Sequence, residues 1–258
     1  MTDTEDKYYA DMVVAAIDIL GFRALLECDD ECEAAMQSAK TLIENAPHQY
    51  VYDSPDMGTP CDRLYKDWLH LGDALYLFGD PQASIADQAL GLMAKSVGLL
   101  CLGFRLWSGG ERGRLIRVGV ARGDLRVAGS IDGREAPIRL GSAMSRAYRL
   151  ERDQEWIGGA IDSTIPVLSE EQYRIQYDVP LKDGSEWQGH CKALNWVAAA
   201  AQNPDFLDVE PVPGWFQDAA AQEKDERVSR KYCNTAQFVT HALSALSDAR
   251  GGAGTAGG

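Results

Sequence analysis

"AAIDILGF", residues 15–22, is the stretch on which the fold turns. Val13, Val14, Ala15, Ala16 and Ile17 form an apolar run of strand length, and the run stops at an acid, Asp18. A carboxylate at the end of a buried strand costs several kcal/mol unless a cation meets it. The rest of the chain has to supply that cation.

Working outward, residues 11–18 read as a strand and 22–45 carry apolar positions at helical spacing, ending before Pro47. Tyr50 and Tyr52 flank Val51 as in a short strand. "LHLGDALYLFGD" (69–80) reads as a hairpin turning near Gly72-Asp73. Residues 84–107 read as a strongly apolar helix closed by Gly109-Gly110. "RLIRVGVARGDLRVAG" (114–129) reads as a second hairpin turning at Arg122-Gly123-Asp124, so the RGD tripeptide is taken as a turn. Residues 140–152 predict a helix with Ser142 as its N-cap. Strands follow near 157–161, 173–179 and 190–197. Residues 201–225 read as loop, 226–248 as helix, and the Gly-rich tail 251–258 as disordered. Two hairpins with interposed helices predict an α+β layered fold rather than a doubly wound sheet.

With 258 residues and 45% apolar composition, the chain can bury one sizeable core plus an appendage. No run of about 18 apolar residues is seen, so no membrane-crossing helix is expected. The acidic, polar start excludes a secretory signal. Cysteines 28, 32, 61, 101, 191 and 233 form no CxxC pair, which predicts reduced thiols and a cytoplasmic location. A net charge of −14 argues against a general nucleic-acid binder, so phosphate recognition has to come from a few placed cations. Histidines 48, 70, 190 and 241 show no metal-ligand spacing.

Asp73 is the second acid. If the first strand pairs with the 69–80 hairpin, Asp18 and Asp73 converge at one sheet edge, where adjacent strands lie about 4.8 Å apart. Two converging carboxylates repel, and one takes up a proton, unless hard divalent ions make both of them ligands. Metals so held can clamp a triphosphate, Gly21 lets backbone approach the phosphates, and the following helix start offers N–H groups to them. Read from spacing alone, the same residues also fit a helix-capping Asp18 and an ordinary turn acid at 73.

"AIDILGF" followed by "LGDALYLF" resembles the two metal-aspartate motifs of class III nucleotidyl cyclases. "IRVGVARGDLRVAG" resembles that family's glycine-rich hairpin, and "LGSAMSRAYRLE" its arginine helix, in the same order and spacing. The similarity covers roughly residues 10–200. Among such cyclases, a short chain ending its last strand in "ALNW" (193–196) most resembles the Pycsar pyrimidine cyclases of bacterial anti-phage defence.

The resemblance implies an α+β cyclase fold with a ferredoxin-like βαββαβ core, a catalytic unit over 1–200, and a loop and C-terminal helix over 201–250. It implies that Asp18, Asp73 and the Ile19 carbonyl hold two Mn²⁺ or Mg²⁺ ions. Leu20, Gly21 and Phe22 then line the substrate, and Arg149 stabilises phosphate charge in the transition state. The family asparagine four residues before Arg149 is here Ser145, on the same helical face. Lys182, in "VPLKDGS", loosely matches a lysine that grips the terminal phosphates. Purine cyclases of the family read the base with polar residues at positions that are here Leu69 and Ile138, both apolar. That departure implies a pyrimidine, with Tyr50 as the residue filling space beside the smaller ring.

UTP is the favoured substrate and cyclic UMP the implied second messenger, acting on a separate cyclic-nucleotide-activated effector. CTP, a purine nucleotide, or a catalytically silent nucleotide-binding module are the other readings. Because the family builds its site between two cyclase domains and this chain carries both sets of residues, a homodimer with two equivalent sites is implied. No stable nucleic acid and no membrane is expected as partner.

Overall fold

Strand β1 (Lys7–Ile19) sends alternate side chains into two separate apolar clusters. Val13, Ala15, Ile17 and Ile19 enter one, and Met12, Val14 and Ala16 the other. A strand buried on both faces has no polar side to show, which is why its sequence is a continuous apolar run rather than an alternation. The structure is a computed structural model that describes residues 6–21, 33, 40, 65–71, 74–108, 115–128, 138–166 and 173–253. The sequence-predicted helix over 22–45 and the short strand at 50–52 lie outside the described residues, apart from positions 33 and 40, which are helical.

The remaining elements are β2 (Tyr65–Leu71), β3 (Ala74–Gly79), α1 (Ile85–Ser108), β4 (Ile116–Ala128), β5 (Ile138–Leu140), α2 (Ser142–Arg152), β6 (Gly159–Asp162), β7 (Arg174–Ile175), β8 (Cys191–Leu194), α3 (Trp196–Ala200), α4 (Val212–Gln222) and α5 (Glu226–Ala253). The strands form one mixed sheet in the order β2-β3-β1-β4-β6-β8-β7, with β5 paired to β4. β1 lies between β3 and β4, antiparallel to both. Helices α1, α3, α4 and α5 cover one face and α2 covers the other, so the expected α+β layering holds.

Four sequence expectations are corrected. Residues 116–128 form one continuous strand rather than a hairpin at Arg122-Gly123-Asp124. Gly123 has no positive φ. A Cβ there would lie 2.5 Å from Ser142 Oγ, so this glycine serves close helix packing and not a turn. Arg122 instead makes a two-pronged ion pair with Asp11, at the point where β1 bulges.

Ser142 is the first residue of α2 rather than its N-cap. Its hydroxyl is exchanged with Asp124 on β4: the Asp124 N–H donates to Ser142 Oγ at 2.9 Å, and the Asp124 carboxylate accepts from the Ser142 N–H and hydroxyl. Those hydrogen bonds hold the Asp124 carboxyl below its usual pKa.

The 201–225 stretch contains a helix, α4, which tolerates Pro213 because it falls in the first turn, where a missing N–H costs nothing. α5 also runs to Ala253, three residues into the tail expected to be disordered.

Finally, α1 is long and apolar enough to cross a membrane by length and composition. Of its most apolar window, 83% is buried inside the protein, so its apolar character is explained by core packing. Phe104 of α1 stacks on Trp196 at 4.0 Å and Trp107 stacks on Phe216 of α4 at 4.7 Å, while Trp156 meets Phe238 of α5 edge-on at 4.5 Å. The C-terminal helices therefore share the main core. Asn195 of the "ALNW" stretch caps α3 through its side-chain oxygen.

Candidate active site

Pairing sets the site. Asp18 at the end of β1 is the register partner of Ala74 on one side and of Arg117 on the other. Directly opposed antiparallel residues point to the same face with Cβ atoms about 5 Å apart. Arg117 is the cation the sequence demanded: its Nη2 donates to Asp18 Oδ2 at 3.3 Å, with the arginine side chain 9% and the aspartate side chain 23% exposed.

The same Nη2 lies 2.7 Å from Oε1 of Glu151, a buried carboxylate on α2, while Nη1 donates to the Gln154 carbonyl at 3.0 Å. Arg117 faces α2 because Gly119, two residues along, lets the helix settle onto β4: a Cβ there would stand 2.3 Å from the Ala147 carbonyl oxygen. Burial pushes the Glu151 carboxyl up to about 7, against the opposing pull of Arg117. The arrangement is one guanidinium between two carboxylates. Asp73 lies outside the described residues, while its chain neighbour Ala74 pairs with Asp18.

Ser145 and Arg149 lie on the outward side of α2. Residues 149 and 151 are about 200° apart around a helix, so Arg149 faces away when Glu151 faces Arg117. Arg149 Nη1 pairs with Glu186 at 3.0 Å, both side chains being nearly half exposed. Ser145 Oγ donates to the Ser142 carbonyl at 3.2 Å. Lys182 is exposed, and its Nζ donates to the Arg152 carbonyl, a cation on the C-terminal end of α2. One chain therefore does not bring Ser145 or Arg149 onto Asp18.

Leu69 on β2 is part-buried, opposes Tyr76 across the β2–β3 ladder and packs against the cluster that holds Tyr76 and Phe78. Ile138 on β5 is 37% exposed. No ladder row holds both, although Arg139, beside Ile138, reaches over the Phe78 ring at 5.0 Å. Gly21 follows β1 at φ +74 with nothing within 4 Å of a Cβ position, after Leu20, whose N–H donates to the Leu115 carbonyl at 2.8 Å. Phe22 and Tyr50 lie outside the described residues. Among the described residues no three His, Cys, Asp or Glu side chains cluster as a ready metal site.

Sequence reasoning missed the roles of Arg117 and Glu151. Both stood inside quoted motifs, and the available signal was the arginine in a strand that otherwise reads as core.

No family model and no curated protein sequence matches the chain. Solved structures do. A bacterial light-regulated adenylyl cyclase superposes with a TM-score of 0.51 at 13% identity, over 78% of this chain and 97% of that one. The catalytic core of a rhodopsin-guanylyl cyclase with converted specificity, solved with ATPαS, gives 0.51 at 13%, over 74% and 98%. A non-canonical dimeric guanylyl cyclase domain of the RhoGC fusion protein from the aquatic fungus Blastocladiella emersonii gives 0.51 at 14%, over 74% and 96%. The fold is that of class III nucleotidyl cyclase domains.

Proposed function

We propose that this protein is a nucleotidyl cyclase that closes the ribose 3′-oxygen onto the α-phosphorus of a nucleoside triphosphate. The observation that carries this reading is Asp18. An acid ends the central strand of a cyclase fold, beside the hairpin that bears Asp73, in a site where two carboxylates share one guanidinium.

The available donors are hard oxygens, as Mg²⁺ and Mn²⁺ prefer. Asp18, Asp73 and the Ile19 carbonyl would hold two such ions. Bound there, divalent ions supply neutralisation of the triphosphate and a more acidic 3′-hydroxyl. The chain's own residues do the rest. Leu20, Gly21 and Phe22 place backbone against the phosphates. In the reaction the 3′-hydroxyl loses its proton, its oxygen bonds to the α-phosphorus, and the bond to the β-phosphate breaks with release of pyrophosphate.

Arg149, with Ser145 on the same face, serves the site of a second copy. Its exposure on the side of α2 opposite Glu151 supports a homodimer with shared sites. Lys182, exposed beside the C-terminal end of α2, grips terminal phosphates in that assembly.

The base is a pyrimidine, UTP before CTP. Leu69 and Ile138 offer no hydrogen-bond partner to a purine edge, and each polar group left unpaired costs about 1–3 kcal/mol. Tyr50 fills the space beside the smaller ring. The product, cyclic UMP, is a second messenger for anti-phage defence that acts through a separate effector, and the protein works in the cytoplasm.

Incubation with each of the four nucleoside triphosphates plus Mn²⁺, with product masses read, tests the reading. Cyclic UMP as the main product supports it, and Tyr50→Ala should relax the selectivity. A cyclic purine as main product overturns the base assignment while leaving the cyclase, and no cyclic product from any substrate overturns both.

A further inference from the structure

Arg117 is shared. If its charge were spent on Asp18 alone, the strand end would be a closed ion pair and a poor site for a metal. Glu151 prevents that: it is buried, only 3% exposed, and stands 2.7 Å from Arg117, against 3.3 Å for Asp18. The Gln154 carbonyl fixes the other guanidinium nitrogen at 3.0 Å. Gln154 is itself locked, with its amide donating to the Val118 carbonyl at 2.8 Å and its oxygen accepting from Trp156 at 2.8 Å. The guanidinium is thus anchored from the α2 side, and Asp18 takes the longer contact.

We propose that Glu151 is a positioning residue for the Asp18 carboxylate: it takes up the charge of Arg117, so that Asp18 keeps the negative charge needed to bind a divalent cation. The proposal rests on the two-metal reading above. Glu151 touches neither substrate nor metal in this scheme and acts only through Arg117. With the carboxylate at 151 replaced by an amide, Arg117 turns its full charge on Asp18 and competes with the ion. At contact distance near a protein surface such competition is worth at least about tenfold in affinity.

The test is Mn²⁺ uptake by the whole protein without nucleotide at about pH 8, above the titration of Glu151 at about 7, followed through the resonance signal of free Mn²⁺ across the millimolar range, with melting temperatures measured alongside. Glu151→Gln should weaken uptake about tenfold or more while the protein stays folded. Glu151→Gln combined with Arg117→Met should restore it, because the competing charge is gone, a rescue that a merely structural glutamate would not give. Arg117→Met alone, where its melting curve shows a folded protein, should bind Mn²⁺ at least as tightly as wild type, and the double variant, which leaves neither charge of the pair buried alone, keeps the proposal open to refutation if a single variant does not fold. Unchanged uptake in Glu151→Gln, a double variant no better than the single one, or loss of uptake in Arg117→Met each overturns the proposal. Wild-type protein that takes up no Mn²⁺ contradicts the metal reading itself, and the proposal falls with it.

Discussion

Asp18, Arg117 and Glu151 make different predictions when each is removed. Asp18→Ala leaves Arg117 still paired with Glu151, so stability should change by no more than about 1 kcal/mol while product formation is lost. Asp73→Ala should behave alike in activity. Retained activity in either variant, by product mass, would contradict the two-aspartate site. Arg117→Ala leaves Glu151 buried with no guanidinium, which should cost about 3–5 kcal/mol in denaturant unfolding.

Glu151 also sets a pH dependence. Its carboxyl titrates near its ordinary 4.5 in the unfolded chain and at about 7 in the folded one. Folding therefore takes up a proton between those values. The stability from this group is fully present below 4.5 and is lost as the pH rises through about 7. Lys182 and Lys231 face the same carboxyl and oppose the rise, while Asp18 reinforces it. Glu151→Gln should thus lose less melting temperature than wild type between about pH 5 and about pH 8, and equal losses in the two proteins would contradict the assignment.

At the scale of elements, the seating of α2 on β4 depends on missing side chains at Gly119 and Gly123. A Cβ at Gly119 would stand 2.3 Å from the Ala147 carbonyl oxygen, and backbone cannot step aside as a flexible side chain can. Gly119→Ala should therefore cost about 1–3 kcal/mol in denaturant unfolding and disturb the Arg117–Glu151 contact. Gly214 in α4 has nothing within 4 Å of a Cβ position, so Gly214→Ala should be neutral or gain up to about 1 kcal/mol. A Gly119→Ala protein as stable as Gly214→Ala would refute the packing argument.

Gly123 shows where the sequence could be read and where it could not. An Arg-Gly-Asp triplet carries the residues of a turn, and local chemistry alone supports that reading. The need for glycine came from a helix that arrives nineteen residues later, a contact that no local window contains. β1 and α1 were legible for the opposite reason, since their patterns are local and strong. Pro213 misled in the same way as Gly123: a proline opens a helix as readily as it breaks one, and only the packing of Val212 and Phe216 decides.

For the whole molecule, the site residues read from the sequence divide between two surfaces. Asp18 lies toward the buried side of α2 through Arg117 and Glu151, and Arg149 lies on the outward side, paired with Glu186. The sequence supplied the identity of these residues but not their separation, because the face a helix residue takes depends on which stripe packs: Ala143, Ala147, Leu150 and Glu151 are buried, and Ser145 and Arg149 are not. The C-terminal helices, which read as an appendage, close the core around Trp156 and Phe216.

In the proposed homodimer two copies complete each site, a dependence that mixing two inactive variants reads out. Asp18→Ala and Arg149→Ala should each be inactive alone. When subunits exchange at equal concentrations, half the dimers are mixed and each mixed dimer restores one of its two sites. The expected product formation is therefore about one quarter of wild type. A mixture that stays inactive while subunit exchange is demonstrated, or an Arg149→Ala protein that is fully active alone, would contradict it.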